Sequence, residues 1–314
     1  MYLHNLWDNS LINLLINSFA PVAILILIGY ISAKKSIFSN ENSIAVIKYV
    51  GVVAVPALTL KIILSINISN VNWTLIFSYV FSELIIYVTA LLIGKYIFVL
   101  KWNEAILIGM ASSFANHLLF VYPIALNEYE ANLIHPIVAI IGFDVIFLVI
   151  NLIILDLIKF KNLKLKNIFI KQLSNLPLLA LILGLTIIFL DIEIPISIDR
   201  ALEFIANSAA PCALFAAGII LSQKLEKTEI KISNLIILFK IILHPILLIL
   251  IIWNLDNIDF SLAETTIMVA SAPVGLMALI FSTQYGVNPN AITRALMITT
   301  IFSIVTVPLA SMFG

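Results

Sequence analysis

Two apolar stretches of this chain carry small polar residues close to an interior proline. One reads Met110-Ala-Ser-Ser-Phe-Ala-Asn116-His117-Leu-Leu-Phe-Val-Tyr122-Pro123, the other Met268-Val-Ala-Ser271-Ala-Pro273-Val-Gly275. Proline removes a backbone donor and clashes with the preceding turn, so each stretch is expected to be a broken helix with freed carbonyls. Half-helix N-termini at such a break present N–H groups and a positive dipole end to an anion. The Asn116 carboxamide both donates and accepts, which suits a carboxylate without burying a charge. Its structural alternative is an interhelical hydrogen bond, worth roughly 1 kcal/mol in a membrane. His117 could titrate near neutral pH or add positive charge; as a packed residue it would be neutral and hydrogen-bonded. The candidate binding set is Asn116, His117, Pro123, Ser271, Pro273 and Gly275.

Two acids lie deeper in apolar surroundings than any others, Glu83 and Asp144. An ionised carboxylate at a bilayer centre costs roughly 2.5–3.5 kcal/mol on insertion scales, so such groups face the protein interior, pair, or hold a proton. Either could bind a coupled proton or a sodium ion. The structural alternative is a partner on the same helical face, Tyr87 one turn from Glu83 or Asn151 two turns from Asp144. Lys48, Glu203 and Lys240 fall in the opening turns of their stretches, where long side chains are expected to snorkel to the interface. His244, beside Pro245, is a weaker candidate. Arg294 could attract an anion or simply anchor its helix at the basic side.

The elements that must position these residues follow from composition. Of 314 residues, 62% are apolar and 11% charged, with a mean hydropathy of +1.14. Soluble domains are about half apolar and a quarter charged, so a soluble enzyme, a disordered chain and a nucleic-acid binder are excluded. Ten apolar stretches run over 13–33, 43–66, 73–99, 104–127, 134–158, 173–190, 200–223, 231–253, 264–284 and 291–312. Each suits a spanning helix of ~20 residues. The expected class is an all-α polytopic membrane protein of ten transmembrane helices.

Basic residues alternate between the connections. Those after stretches one, three, five, seven and nine, with their margins, hold thirteen Lys or Arg, and the others hold Arg200 alone. The positive-inside rule then places both termini outside. No Lys or Arg occurs in the first thirty residues, which argues against a cleavable signal peptide. The single cysteine, Cys212, excludes an internal disulfide.

The two halves echo each other. Ala54-Val55-Pro56-Ala57 aligns with Ala209-Ala210-Pro211-Cys212 at an offset of 155, Pro21 precedes Pro177 by 156, and Gly29 precedes Gly184 by 155. Five stretches per half is odd, so the second half enters the membrane inverted. The expected organisation is a five-helix repeat at 1–158, a Lys-rich cytoplasmic connection at 159–172 and an inverted repeat at 173–314. Stretches four and nine would break and cross. Inverted repeats with broken helices characterise secondary transporters.

At these residues the chain resembles the auxin efflux carrier family, which includes bacterial malate and malonate carriers and the plant PIN proteins. The resemblance rests on Ala20-Pro21-Val22 with Ile28-Gly29-Tyr30, Val55-Pro56-Ala57-Leu58 and Asn116 with Pro123. It continues through Pro211–Gly218, Ala272-Pro273-Val-Gly275, Gln284-Tyr-Gly286 and Thr299-Thr300. It implies an elevator-like movement of stretches three, four, five, nine and ten against one, two, six and seven. It further implies a homodimer and substrate carboxylate contact at Asn116. His117 departs from the family, which often has a small residue there.

The expected function is a secondary transporter of small organic anions such as malate, malonate or auxin-like carboxylates, in a bacterial-type inner membrane. It needs no cofactor or metal, performs no enzymatic reaction and takes no nucleic acid. The lipid bilayer and a coupled proton or sodium ion are its other partners. No Walker loop, HExxH or GxSxG is present. The alternatives are a sodium- or proton-coupled exchanger or symporter of bile-acid-symporter or antiporter architecture, and a membrane sensor without transport.

Overall fold

The computed structural model describes residues 20–66, 71–160, 165–223, 229–255 and 260–310. The start of the first expected span, both termini, and Lys161, Lys164, Lys224 and Lys227 lie outside the described residues. Within them the elements are helical, joined at one point by an isolated antiparallel bridge between Ala115 and Val274.

In chain order the helices are α1 (Ala20–Lys34), α2 (Asn40–Tyr49), α3 (Val55–Leu64), α4 (Trp73–Leu92), α5 (Trp102–Ser113), α6 (Tyr122–Glu128) and α7 (Ala131–Lys159). There follow α8 (Leu165–Gln172), α9 (Leu176–Phe189), α10 (Ile196–Leu221), α11 (Ile230–Ile237), α12 (His244–Trp253), α13 (Phe260–Ala270), α14 (Leu276–Gln284) and α15 (Asn290–Ala310). Asparagines open two of them by capping orphan N–H groups. Asn72 accepts from Leu75 N at 3.3 Å and Asn175 from Leu178 N at 3.2 Å.

Among the described residues, six helical stretches are long and apolar enough to cross a membrane: Glu41–Leu64, Trp73–Ile97, Leu133–Lys159, Ile196–Leu221, Ile230–Trp253 and Asn290–Ala310. Helix α1, at 15 residues, is shorter. Helix α9 reaches spanning length only together with α8, from which it bends by 74°. The fourth and ninth expected stretches are interrupted, as α5–α6 and α13–α14.

Three prolines leave a common mark. The backbone forms π-helical turns at Val50–Ala54, His117–Val121 and Leu238–Leu243, and in each case the second residue after the turn is proline: Pro56, Pro123, Pro245. A proline ring collides with the carbonyl four residues back. Widening the preceding turn to i→i+5 bonds, such as His244 N–H to Phe239 O, moves that carbonyl aside. Pro211, the counterpart of Pro56 at the 155-residue offset, instead sits inside the unbroken α10.

Helices α1 and α10 approach backbone to backbone. A Cβ at Gly29 would lie 2.1 Å from the Phe215 carbonyl oxygen, and one at Gly218 would lie 2.0 Å from that of Ile26. No other residue fits either place, and this seam fixes one side of the molecule. On the other, α4, α5, α7, the Leu238–α12 segment, α13 and α15 surround the two breaks.

The expected connection over 159–172 is helical from Leu165. It is anchored by Asp156, whose buried carboxylate accepts from Lys171 Nζ at 2.8 Å, Gln172 Nε2 at 2.7 Å and Tyr285 Oη at 2.9 Å. Burial, followed by this carboxylate, pushes the Tyr285 phenol above its ordinary pKa.

Candidate functional site

Helix α5 ends at Ser113, and the chain runs extended through Phe114 before turning at Asn116 into the π-helical segment. Helix α13 ends at Ala270, and Gly275 is extended before α14 begins. The two interruptions pair like short strands. Asn116 N–H donates to Pro273 O at 2.8 Å and Gly275 N–H to Phe114 O at 3.0 Å. Broken helices leave backbone groups that lipid cannot satisfy, and each break here serves the other. Helix α15 satisfies more: Thr299 Oγ1 accepts from Val274 N at 3.2 Å, and Thr306 Oγ1 donates to Ser271 O at 3.0 Å.

A cavity of about 90 Å³ lies against this crossing, lined among others by Thr59, Asn116, His117, Asp144, Pro177 and Gly275. A larger cavity of about 830 Å³ adjoins it, sharing Leu148, Pro177, Leu276 and Met277, and extends to Lys48, Asn175, Gln223 and Arg294. The Arg294 Nε is buried without a hydrogen-bond partner among the described residues.

The candidate set divides accordingly. Asn116, His117 and Gly275 line the small cavity. Ser271 and Pro273 stand behind it, with the Ser271 hydroxyl turned onto Ile267 O at 2.9 Å and Pro273 supplying its carbonyl to Asn116. Pro123 corrects an expectation. The break does not form at this proline but seven residues earlier, because the π-helical turn at His117–Val121 absorbs the ring's clash and α6 starts around it.

The two acids converge. Glu83 on α4 and Asp144 on α7 are 2% and 5% exposed, and their carboxyl groups lie within electrostatic reach of each other. The suggested local partners do not serve them, since Tyr87 donates to Asn151 at 2.5 Å instead. His117 links the acids to the crossing: its Nδ1 is 3.0 Å from Ala115 O and 3.4 Å from Asp144 Oδ2.

Lys240 overturns the snorkelling expectation. Its side chain is fully buried, with Nζ donating to Ser113 O at 3.1 Å and lying 3.1 Å from His244 Nδ1. It also stands within electrostatic reach of both acids. Lys240 lies eleventh in the Ile230–Trp253 span, too deep for its stem to reach the interface, and that count was the available signal. Lys48 and Glu203, nearer their helix starts, are exposed.

Residues 160–311 match the family model described as membrane transport protein, which bears out the resemblance to the auxin efflux carriers. A Rhizobium meliloti protein provisionally named a malonate transporter is 32% identical over 124 residues, covering 40% of this chain and 39% of that protein. The mouse lysosomal cholesterol signaling protein is 25% identical across 89% of this chain and 35% of its own length. An uncharacterized transporter of Methanocaldococcus jannaschii is 25% identical across 92% of this chain and 95% of its own. The chain thus covers about two fifths and one third of the first two relatives, and nearly all of the third.

Proposed function

From the match of residues 160–311 to the family model described as membrane transport protein, we propose that this integral membrane protein is a secondary transporter of small organic anions, mono- or dicarboxylates such as malonate or malate. The observation that carries this reading is the placement of Asn116. It stands at the paired breaks, half-buried, and lines a cavity adjoining a larger one that reaches two basic side chains, Lys48 and Arg294. In this reading Lys48 and Arg294 draw the anion in, and the Asn116 amide and nearby backbone N–H groups hold its carboxylate. Ser271, Pro273 and Gly275 keep the second break in shape, and His117 with Asp144 senses the bound charge. The molecule is read as ten spans in two inverted repeats, with α1 and α10 in the stationary part, working as a homodimer in a bacterial-type inner membrane with both termini outside. The malonate named for the Rhizobium meliloti relative makes it the first substrate to test.

A second reading, a cation-driven exchanger with Glu83 and Asp144 as cation ligands, draws support from the meeting of those two acids in one buried cluster.

The test is uptake of labelled malonate and malate into proteoliposomes under an imposed pH gradient, comparing the parent with Asn116→Ala. Expected is gradient-driven uptake that collapses in the variant. Uptake that survives Asn116→Ala removes the site, and absence of uptake for a full panel of carboxylates removes the substrate class.

A further inference from the structure

The cluster behind the crossing contains one group that neither reading uses. Lys240 reaches it from the π-helical turn Leu238–Leu243, and its ammonium donates to Ser113 O, a carbonyl at the C-terminal end of the half-helix α5. Carbonyls at a helix end lack intrahelical partners and carry the negative end of the helix dipole. In transporters built on broken helices, such ends coordinate the coupling cation. An ammonium is a donor only, so a charged Lys240 requires His244 Nδ1, 3.1 Å away, to act as the acceptor.

We propose that the Lys240 ammonium is a covalently tethered cation standing where a coupling sodium ion would bind, so that the Glu83–Asp144 pair exchanges a single proton and the protein is indifferent to sodium. This rests on the transporter reading for its role but not for its test. The argument is one of charge. The groups within electrostatic reach of the ammonium are Glu83 from α4, Asp144 from α7, His117 from the first break and His244 from α12, with the Tyr79 phenol of α4 beside the two acids and its ring against His244. With both imidazoles and the phenol neutral, two carboxyl groups and one ammonium sum to zero when one carboxyl carries a proton. An uncompensated charge at this depth is costly, so the neutral state dominates. A sodium ion added beside Lys240 would make the cluster positive unless that proton left. Among the described residues, Glu83 Oε1 and both Asp144 oxygens are buried without a hydrogen-bond partner of ordinary geometry, as befits groups that take up a proton in turn.

The cluster also reports to the anion cavity. Asp144 lines that cavity, one residue from Asn116 through His117. An anion there is repelled by ionised Asp144 and accepted once it is protonated, so anion and proton travel in the same direction.

The experiment reads thermal unfolding of the detergent-solubilised full chain in sodium chloride against N-methylglucamine chloride at equal ionic strength. The parent is expected to show no sodium-dependent shift. Lys240→Met leaves two facing acids without their cation and is expected to gain a melting temperature that rises with sodium, as mass action requires of a ligand bound only by the folded state. Lys240→Gln, which retains a donor toward Ser113 O, gives the same readout if the Met variant does not fold. A sodium-dependent shift in the parent overturns the proposal, and so does indifference to sodium in the lysine variants. Malonate uptake by the parent, with and without sodium under a fixed pH gradient, is the second arm. Equal rates are expected, and sodium stimulation overturns the proposal. Absence of uptake speaks against the transport reading alone, because the unfolding arm has already decided the role of Lys240.

Discussion

The two breaks that meet at the crossing are built from different materials. The first, from Ser113 to Val121, carries an amide, an imidazole and a freed carbonyl that a buried lysine fills. The second, from Ser271 to Gly275, carries no titratable group, and its peptide groups are held by Thr299, Ser303 and Thr306 of α15. Ser303 Oγ reaches Ser271 O at 3.4 Å and supplements the shorter bond from Thr306. One break supplies chemistry and the other supplies shape. Two irregular segments in lipid must satisfy each other's backbone, and only one of them can also spare side chains for a ligand.

The difference yields a graded series of substitutions. The largest expected effect is that of Asn116→Ala. Loss of a hydrogen bond to a charged ligand is worth about 1.5–3 kcal/mol, or roughly a 10- to 150-fold fall in malonate uptake efficiency at unchanged melting temperature. Equal losses of stability and uptake would mean that Asn116 only holds the fold. Next comes Gly275→Val. A Cβ there would sit 3.3 Å from Ala115 O, so a branched side chain must spread the bridge, and uptake and melting temperature are expected to fall together. Uptake lost without destabilisation would give the second break a ligand role and erase the contrast.

Thr299→Val removes the acceptor of Val274 N–H while keeping the side-chain volume. Its expected cost is about 1 kcal/mol of stability, read by thermal unfolding, with the apparent KM for malonate unchanged. A raised KM at full stability would move the ligand toward α15. The smallest effect is expected of Pro123→Ala, because Pro123 lies outside both the bridge and the small cavity. Uptake should stay within roughly twofold of the parent, a difference below about 0.5 kcal/mol. A collapse would restore Pro123 to the site.

Much of this arrangement was legible in the sequence. Interior prolines close to small polar residues led to the two interrupted helices, and Asn116 and Pro273 hydrogen-bond to each other. Glu83 and Asp144 stood out because carboxyl groups in apolar runs are costly wherever they face lipid. Three features escaped. Pro123 was read as the break because a proline's effect on its own helix is visible in sequence, whereas relief by a wider turn depends on the backbone around it. Lys240 was read as a snorkelling residue because its pairing with Ser113 O joins positions 127 residues apart, a contact that no local pattern encodes. The Tyr87–Asn151 bond escaped for the same reason, since each residue was matched within its own helix.

The π-helical turns have a mechanical meaning as well. Each holds one residue more than an α-helical path needs, and in an α-helix one residue corresponds to a rotation of 100° about the axis. The turn at Leu238–Leu243 accommodates that extra residue between α11 and α12 without ending the helix. Excising a single residue from it would return this stretch to the plain α-helical bonding pattern, leaving the composition almost untouched. The chain length within that turn, as much as the identity of residue 240, sets which way the ammonium points.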